Sequence, residues 1–272
     1  MPEHGHSPLS HVVDHPTLEL PFWQYPYGVE IHLPHLGVFQ LTRFMVTELV
    51  VAALMLMILP LLAAHVRKHH VTRGWFMNMF EALLLFIRDQ VARPAIGGHG
   101  ADRFLPYLWT LFFFILFNNL LGLVPGMASA TGNVNVTAVL AIMTLVTVIR
   151  AGMQEMGATG FWVGIVPHLD VPVWLKPPLW GLMFIIEVLG LFIRHIVLAV
   201  RLFANMFAGH VVLAVILGFI VMAKGSLFYP VMGASVVGLV LLSLLELLVA
   251  FLQAYIFTFL SALFIGSAVH PH

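Results

Sequence analysis

The sequence predicts an all-α, multi-pass membrane protein with about five membrane-embedded helices and one interfacial amphipathic helix. Of its 272 residues, 61% are hydrophobic and only 9% are charged, and the mean hydropathy is +1.00. A soluble domain carries about a quarter charged residues. The last two apolar runs are so long that we expect them to form a long, tilted antiparallel hairpin. The formal net charge of zero gives no reason to expect a nucleic-acid partner.

Two absences in the sequence narrow its chemistry. The chain has no cysteine, which excludes disulfides, thiolate nucleophiles and thiolate metal sites. It also has no phosphate loop of the G-x-x-x-x-G-K-S/T type, so we expect no nucleotide site in this chain.

Residues 1–43 form a polar arm that bears histidine and proline. The histidines are irregularly spaced, and neither cysteine nor paired carboxylates complete a ligand set, so a solvated tail is favoured over a metal site. The arm lacks a basic flank followed by an apolar core, so we expect no cleaved signal peptide. Its histidines are His4, His6, His11, His15, His32 and His35.

Residues 44–66 are predicted to form the first transmembrane helix, since they supply the roughly 20 residues that a helix needs to cross a bilayer. Residues 1–42 contain no lysine or arginine, whereas the segment 67–103 is basic. By the positive-inside rule, the arm is extracytoplasmic and the basic segment is cytoplasmic. The basic residues of that segment are Arg67, Lys68, Arg73, Arg88, Arg93 and Arg103.

Within the basic segment, residues 75–93 predict an amphipathic helix that lies in the membrane interface. A short membrane span is the less favoured alternative, because its charged side chains would be costly in hydrocarbon. The polar residues that fall broadly on one side, opposite Leu, Phe and Met, are Asn78, Glu81, Arg88 and Asp89.

Residues 104–157 are predicted to form a transmembrane helical hairpin, which the turn PGMASATGN breaks. Asn118 and Asn119 lie near the membrane edge, where hydrogen bonding at a helix end explains them without any function. Residues 158–178 are rich in tryptophan and proline, which favours an interfacial loop among the cytoplasmic headgroups.

Residues 179–268 contain two very long apolar runs, separated by the short break KGSLFYP. At about 1.5 Å per residue, each run as a continuous helix would be nearly twice the ~30 Å hydrocarbon thickness. We therefore expect the two helices to be strongly tilted or broken, and to form one long hairpin.

Intramembrane ionisable residues are few in this hairpin, and each is a functional candidate because a charge inside a membrane is costly by several kcal/mol. Glu187, Arg194 and Arg201 are seven residues apart and share one stripe of a helix, which Asn205 continues.

An antiparallel hairpin would bring side chains of the two helices to matching levels. With the turn centred near residue 227, Arg201 lies 26 residues before it and Gln253 lies 26 after it. In the same way His210 lies 17 before the turn and Glu246 lies 19 after it. We therefore expect Arg201 opposite Gln253, and His210 opposite Glu246.

This spacing predicts two proton-accessible regions separated by a cation. A histidine beside a carboxylate can relay protons near neutral pH, whereas an arginine keeps its proton. The predicted topology puts Glu187 nearest the cytoplasm, Arg201 near mid-membrane and the pair His210/Glu246 nearest the exterior. A structural ion pair in a packed bundle is the plain alternative for Arg201. Since Glu187 is about 21 Å away along a straight helix, we expect the counter-ion from another subunit.

The motifs resemble those of subunit a of the rotary F-type ATP synthase, the stator half of its membrane proton channel. The resemblance rests on RLFANMFAGH at residues 201–210, on Glu187 fourteen residues upstream of Arg201, and on LQAYIF around Gln253. FNNLLGLVPG and NVNVT in the second and third spans extend it to essentially the whole chain after the arm.

This resemblance implies a non-catalytic, proton-translocating stator subunit, whose two offset half-channels load and unload the carboxylates of a rotating c-ring. Arg201 would hold each passing carboxylate ionised and block a direct proton leak. Glu187 would belong to the half-channel on the cytoplasmic side. The half-channel on the exterior side would be lined by Asn205, His210, Glu246 and Gln253.

The resemblance also implies the setting of the chain. Its partners would be the c-subunit ring, the subunit b peripheral stalk and the remaining ATP synthase subunits, within the lipid bilayer and with H⁺ as the transported ion. The location would be a bacterial inner membrane, with the N-terminus extracytoplasmic and the C-terminus cytoplasmic. No catalytic residue, cofactor or metal is expected, and ATP chemistry would occur elsewhere in the complex.

Three positions depart from the pattern of many bacterial relatives. The pair at positions 210 and 246 is histidine then glutamate, where many relatives have the reverse order, and Ala204 replaces a common glycine. Arg194 and His195 stand where many relatives carry lysine and proline, so the role of Arg194 is not set by the resemblance.

The main alternative is an independent ion-coupled secondary transporter or antiporter subunit. The absence of an inverted repeat in the sequence counts against it. A membrane-embedded enzyme is less favoured still, because the histidines do not form a compact ligand motif with acids at helical spacing.

Overall fold

The fold is all helical throughout its membrane region, as the sequence predicts. The structure is a computed structural model, and it describes residues 17–20, 29–32, 35–36, 39–40, 42–68, 74–98, 100–124, 129–166, 172, 174–223 and 225–269. The α-helices of this described part are α1 (Arg43–Lys68), α2 (Trp75–Phe86), α3 (Arg93–Ile96), α4 (Ala101–Gly122), α5 (Val134–Met156), α6 (Ala158–Gly164), α7 (Lys176–Met222) and α8 (Phe228–Val269).

The N-terminal arm contains two short antiparallel β-hairpins, which the prediction of a solvated tail did not include. Strand β1 (Thr17–Leu20) pairs with β2 (Val29–His32), and β3 (His35–Leu36) pairs with β4 (Phe39–Gln40). The stretch TLEL alternates polar and apolar residues, which is the pattern of a strand. His4, His6, His11 and His15 lie outside the described residues, and the described ones include no cluster of three or more metal-ligating side chains.

Five helices are long and apolar enough to cross a membrane in the part of the chain that the structure describes. Within an apolar stretch of 18 residues, 56% of the residues are buried in the Ala101–Gly122 span. The corresponding shares in the two long helices are only 17% and 11%. Many large apolar side chains of the two long helices are exposed. The five spans are Arg43–Leu61, Ala101–Gly122, Val134–Met156, Lys176–Ile220 and Phe228–Val269.

The segment predicted to lie in the membrane interface is helical, and it is not one of these spans. It runs from α2 through a π-helical segment (Ile87–Ala92) into α3 and ends at Gly97, whose φ of 95° lies in the left-handed region. The indole Nε1 of Trp109 donates to the Leu84 carbonyl at 3.1 Å, close to where the π-helical segment begins. π-Helical segments are rare. Here the side chain of Trp109 in α4 adds a hydrogen bond next to the segment.

The π-helical segment also holds a small ion-pair cluster outside the membrane spans. The Arg88 guanidinium donates two hydrogen bonds to the Asp89 carboxylate, and Arg93 Nη1 lies 2.8 Å from Asp89 Oδ1. The hydrogen bonds from Arg88 hold the pKa of Asp89 below its usual range. With two arginines and one carboxylate, this cluster is basic.

Two predicted boundaries need correction. Residues 158–178 were expected to be a loop, but α6 occupies Ala158–Gly164. Helix α7 was expected to begin at residue 179, after Pro177 and Pro178, but it begins at Lys176. Proline is tolerated in the first turn of a helix, where its missing N–H has no helical partner to lose.

The chain divides into two units, and both long helices contribute to both of them. In the first unit, the 3₁₀ turn Gly225–Leu227 joins α7 to α8, and Gly225 takes a φ of 65° that favours glycine. Buried Phe44 of α1 packs with Ala130, which lies in the 3₁₀ turn Ala130–Gly132. The first unit comprises Met1–Leu61, Phe113–Val136 and Leu202–Ala254.

In the second unit, helices are joined by polar bridges at several levels. The hydroxyls of Tyr107 and Thr144 lie 2.8 Å apart, and Arg103 Nη1 lies 3.6 Å from Glu155 Oε1. Gly266 of α8 packs directly on the Ala95 carbonyl, where a Cβ would overlap the backbone. The second unit comprises Leu62–Phe112, Thr137–Arg201 and Tyr255–His272.

Candidate functional site

Helix α7 presents the predicted charged stripe on one uninterrupted helix of 47 residues. No proline follows residue 178 in this helix, so the backbone hydrogen bonds continue past every charged residue. Arg201 is exposed, and within the described part of the chain it has neither a hydrogen bond nor an ion pair. The guanidinium is therefore open to a partner outside this chain.

The surroundings of Arg201 on α7 are small and apolar. Val200 and Phe207 are 55% and 40% exposed, and Ala204 and Ala208 are exposed between them. A cation among such side chains in a membrane is costly unless an anion approaches it. The alanines leave room for a second helix to approach closely.

Glu187 pairs with Arg194 rather than with Arg201. Nη2 of Arg194 lies 3.9 Å from Oε2 of Glu187, and their side chains are 52% and 31% exposed. This contact is at the outer limit of an ion pair, and such partly exposed pairs contribute little stability. It gives Arg194, whose role the sequence left open, a neighbour of opposite charge.

A cavity of about 210 Å³ lies between α7 and α8 in the first unit. Its lining is mostly apolar, and its polar side chains are Asn205 and Glu246. The space is large enough to hold water, and these two groups offer water hydrogen-bonding partners. The remaining lining residues are Met206, Ala208, Gly209, Val212, Leu242, Leu245 and Val249.

The register of this part of the hairpin agrees with the predicted levels. Gly209 lies against Glu246, since a Cβ added at Gly209 would overlap Oε1 of Glu246 and come within 3.2 Å of its Cδ. Further toward the turn, a Cβ on Gly238 would lie 3.9 Å from Cδ1 of Ile216. The expected pairing of position 210 with position 246 is met to within one residue.

The predicted exterior residues share a property that Asn118 and His195 also have. Each has a buried side-chain atom that finds no hydrogen-bond partner among the described residues. Native proteins rarely leave such atoms unpaired, except where water or function uses them. The atoms are Nδ2 of Asn205, Nε2 of His210, Oε2 of Glu246 and Nε2 of Gln253.

Sequence reasoning missed Gly209 and misread Asn119. Asn119 is fully buried, and its Nδ2 donates to the Ala250 carbonyl of α8 at 3.3 Å rather than to its own helix end. Its Oδ1 accepts from Thr131 at 2.6 Å. Two adjacent asparagines within an apolar span were the available signal, because a membrane helix rarely keeps an amide without a partner.

His195 turns away from the charged stripe. Its ring is 3% exposed, packs 5.1 Å from the Phe264 ring, and places Nδ1 2.8 Å from the Leu191 carbonyl. This histidine is a packed interior residue of the second unit, so its neighbour Arg194 alone presents charge on this turn.

The fold and these side chains together define a multi-pass membrane protein with ionisable groups along long helices, a class that comprises pumps, channels and ion-coupled transporters. Comparison with known proteins narrows this class. Residues 45–266 match the family described as ATP synthase A chain. The chain belongs to this family.

Curated relatives agree over most of the chain. ATP synthase subunit a of Chloroherpeton thalassium is 43% identical over 268 residues, which cover 96% of this chain and 76% of the relative. ATP synthase subunit a 2 of Chlorobaculum tepidum is 40% identical, and the match covers 96% of this chain and 72% of the relative. ATP synthase subunit a of Myxococcus xanthus is 47% identical, covering 74% of this chain and 65% of the relative.

The family resemblance read from the motifs is thereby confirmed, and with it the assignment to the proton-translocating membrane sector of ATP synthase. The alternative of an independent secondary transporter is not supported, since the matched family and these relatives are all ATP synthase subunits. The roles of the individual residues remain predictions.

Proposed function

We propose that this chain conducts protons as the stator subunit a of an F-type ATP synthase, through two offset half-channels that load and unload c-ring carboxylates. The observation that carries the proposal is Arg201, an exposed guanidinium in a membrane helix that has no partner among the described residues. A fixed cation at this position would suit an anion that pairs with it only transiently.

Arg201 would act on the ring carboxylate by electrostatics alone. A guanidinium keeps its proton in proteins, so Arg201 would not pass a proton on. Beside it a carboxylate is held ionised, because an opposite charge within a few ångströms favours the charged form. A ring carboxylate would therefore release its proton on approach and collect another after leaving, while no proton crosses Arg201 directly.

The exterior half-channel would use the polar groups of the first unit. Asn205 and Glu246 line the 210 Å³ cavity, and His210 and Gln253 add further buried nitrogen atoms that have no partner among the described residues. A histidine and a carboxylate at one level can exchange protons near neutral pH. These groups would carry protons between the exterior and the ring.

The cytoplasmic half-channel would end at Glu187. This carboxylate is half-buried beside Arg194 and lies fourteen residues before Arg201 on the same helix. Along α7 that spacing is about 21 Å at the helical rise. A carboxylate there would hand protons to water on the cytoplasmic side.

The proposed setting is a bacterial inner membrane with the N-terminus outside and the C-terminus in the cytoplasm. The absence of lysine and arginine from residues 1–42 and the basic segment after the first span favour this orientation. The relatives reported above are bacterial. The c-ring, subunit b and the remaining synthase subunits would be its partners, and the uncovered apolar surface of α7 and α8 suits contact with a ring and lipid.

The energetics require a gathering device of this kind. One charge crossing a membrane potential gains about 2.3 kcal/mol per 100 mV, so several protons are needed for each ATP. This chain would supply the path, and ATP would be made in other subunits.

The decisive experiment is Arg201→Ala in the assembled complex, with ATP-driven proton pumping measured in inverted membrane vesicles. We expect coupled pumping to be lost, since the passing carboxylate would lose its counter-charge. Arg194→Ala is the matched control, because it removes an arginine seven residues away on the same helix that has only a weak partner. Coupled pumping retained by Arg201→Ala at normal assembly would refute the proposal.

An exchange of His210 and Glu246 tests the exterior relay. If the two share one proton path, the double exchange should restore more pumping than either single change. Additive losses in the double variant would show that they act separately.

A further inference from the structure

A buried polar chain in the first unit reaches α8 from another helix, and the proposed proton path does not use it. The chain runs from Ser129 through Thr131 to Asn119 and ends on the Ala250 carbonyl. Ser129 is 2% exposed, and the other three residues are fully buried. Hydrogen bonds with this degree of burial are retained because an unpaired amide in such a place is costly.

The orientation of the Asn119 amide is fixed at both ends. The Thr131 hydroxyl donates to Oδ1 at 2.6 Å, which directs Nδ2 toward α8. The Thr131 and Ser129 hydroxyls lie 2.7 Å apart, and the 3₁₀ turn is closed by Gly132 N donating to the Ser129 carbonyl at 2.9 Å. The turn therefore acts as a support that holds one amide in one rotamer.

Glycine at position 122 allows the turn to reach this place. A Cβ on Gly122 would overlap Cβ of Ser129 and lie 2.9 Å from its Cα. The turn thus packs directly on the last residue of α4, three residues beyond Asn119. A side chain at position 122 would push the supporting hydroxyls away from the amide.

The far end of the polar chain falls between two residues of the proposed path. Ala250 lies four residues after Glu246 and three before Gln253, so all three share one face of α8. The carbonyl that receives the Asn119 amide is thus one helical turn from each. A hydrogen bond at this point fixes both the height and the rotation of α8 where its polar side chains are carried.

We propose that the Asn119–Thr131 pair is a positioning device that holds α8 through the Ala250 carbonyl, so that Glu246 and Gln253 are presented at the level of the exterior cavity. Among the described residues Asn119 makes no hydrogen bond to either side chain, so it would be a positioning residue. The inference rests on the proposed function, because presentation matters only if Glu246 and Gln253 carry protons.

The first test is Asn119→Leu in the assembled complex, with proton flow per assembled complex measured in inverted vesicles. We expect a loss of about threefold to tenfold, the range that one interhelical hydrogen bond in a membrane is worth. Asn118→Leu is the matched control, since Asn118 is equally buried but donates to Phe114 of its own helix. Equal flow in the two variants would overturn the positioning role.

The second test leaves Asn119 in place and removes only its support. Thr131→Val takes away the hydroxyl that orients the amide, whereas Thr131→Ser keeps it. We expect the valine variant to lose proton flow and the serine variant to stay near the parent. A merely steric role of Thr131 predicts the reverse, since valine retains the branched shape and serine does not, and that result would overturn the proposal.

A third measurement does not depend on proton flow. The chain has no cysteine, so the pair Ile216→Cys and Gly238→Cys would report the register of α8 against α7 by oxidative cross-linking. We expect Asn119→Leu to lower the cross-linking yield and Asn118→Leu to leave it unchanged, and equal yields would contradict the proposal. Loss of pumping in Arg201→Ala, measured in parallel, keeps a failure of this inference distinct from a failure of the proposed function.

Discussion

The two carboxylates of the long hairpin, Glu187 and Glu246, sit in opposite kinds of environment. Glu187 is half-buried and has a guanidinium 3.9 Å away. Glu246 lies against the Gly209 backbone, lines a cavity, and keeps a buried oxygen without a partner among the described residues. Position in the sequence makes the two look equivalent, since each is one acid in a long apolar run.

The difference shows how each acid would handle a proton. In the proposed cytoplasmic half-channel, water would reach Glu187, so its proton transfer would need few precisely placed neighbours. A half-buried carboxylate in a cavity depends on a few fixed neighbours for every transfer. We therefore expect the exterior side of the path to be sensitive to small structural changes and the cytoplasmic side to tolerate them.

The largest expected effect separates the two acids directly. Glu246→Gln should lower ATP-driven proton flow roughly a hundredfold, because a positioned proton-transferring side chain commonly contributes that much. Glu187→Gln should lower it less than about tenfold, since water can reach the site without the carboxylate. Both are measured in inverted vesicles and corrected for the amount of assembled complex. Equal losses would contradict the expected difference between Glu246 and Glu187.

The sequence predicted the register of α7 against α8 near Glu246, but it did not predict the difference in environment between the two acids. Counting residues from the turn placed position 210 level with position 246, and the Gly209–Glu246 contact meets that expectation. The cavity, and the Oε2 of Glu246 that has no partner among the described residues, could not be predicted from the sequence. Both depend on how the side chains of α7 and α8 interdigitate. Periodicity reports which face a residue occupies, but not whether that face is packed or hollow.

An intermediate effect is expected at Gly209. Alanine there would place a methyl group where Oε1 of Glu246 now lies, so the carboxyl group must turn aside. The helix itself would gain, since alanine is about 1 kcal/mol more favourable than glycine in a helix interior. We expect normal assembly and a proton flow about tenfold lower, because the carboxyl group of Glu246 would no longer be positioned for proton transfer.

Gly238→Ala is the control for this prediction on the facing helix. A Cβ there would make only an ordinary contact, 3.9 Å from Cδ1 of Ile216, so the same glycine-to-alanine change should leave proton flow unaltered. Reduced flow in both variants would indicate a general effect of stiffening the hairpin rather than displacement of Glu246.

Residues that act across helices were the hardest to predict. Arg201 could be singled out because a lone cation in an apolar run is conspicuous in the sequence itself. The two adjacent asparagines were a signal for Asn119, but its partner could not be predicted. An amide near a helix end has an adequate local explanation, and only the fold shows that Asn119 reaches Ala250, 131 residues away. In the same way the prolines at 177 and 178 suggested a later start for α7, although the first turn of a helix accepts them.

The smallest expected effect concerns the ion pair that distinguishes Glu187. Arg194→Gln removes a contact between two side chains that are 52% and 31% exposed, and such pairs contribute at most about 1 kcal/mol. We expect proton flow to change no more than about twofold, and we expect Arg194→Lys to resemble the parent because it keeps the charge. A tenfold loss that lysine fails to restore would mean that Glu187 needs a guanidinium in fixed geometry, and the two acids would then be equally constrained.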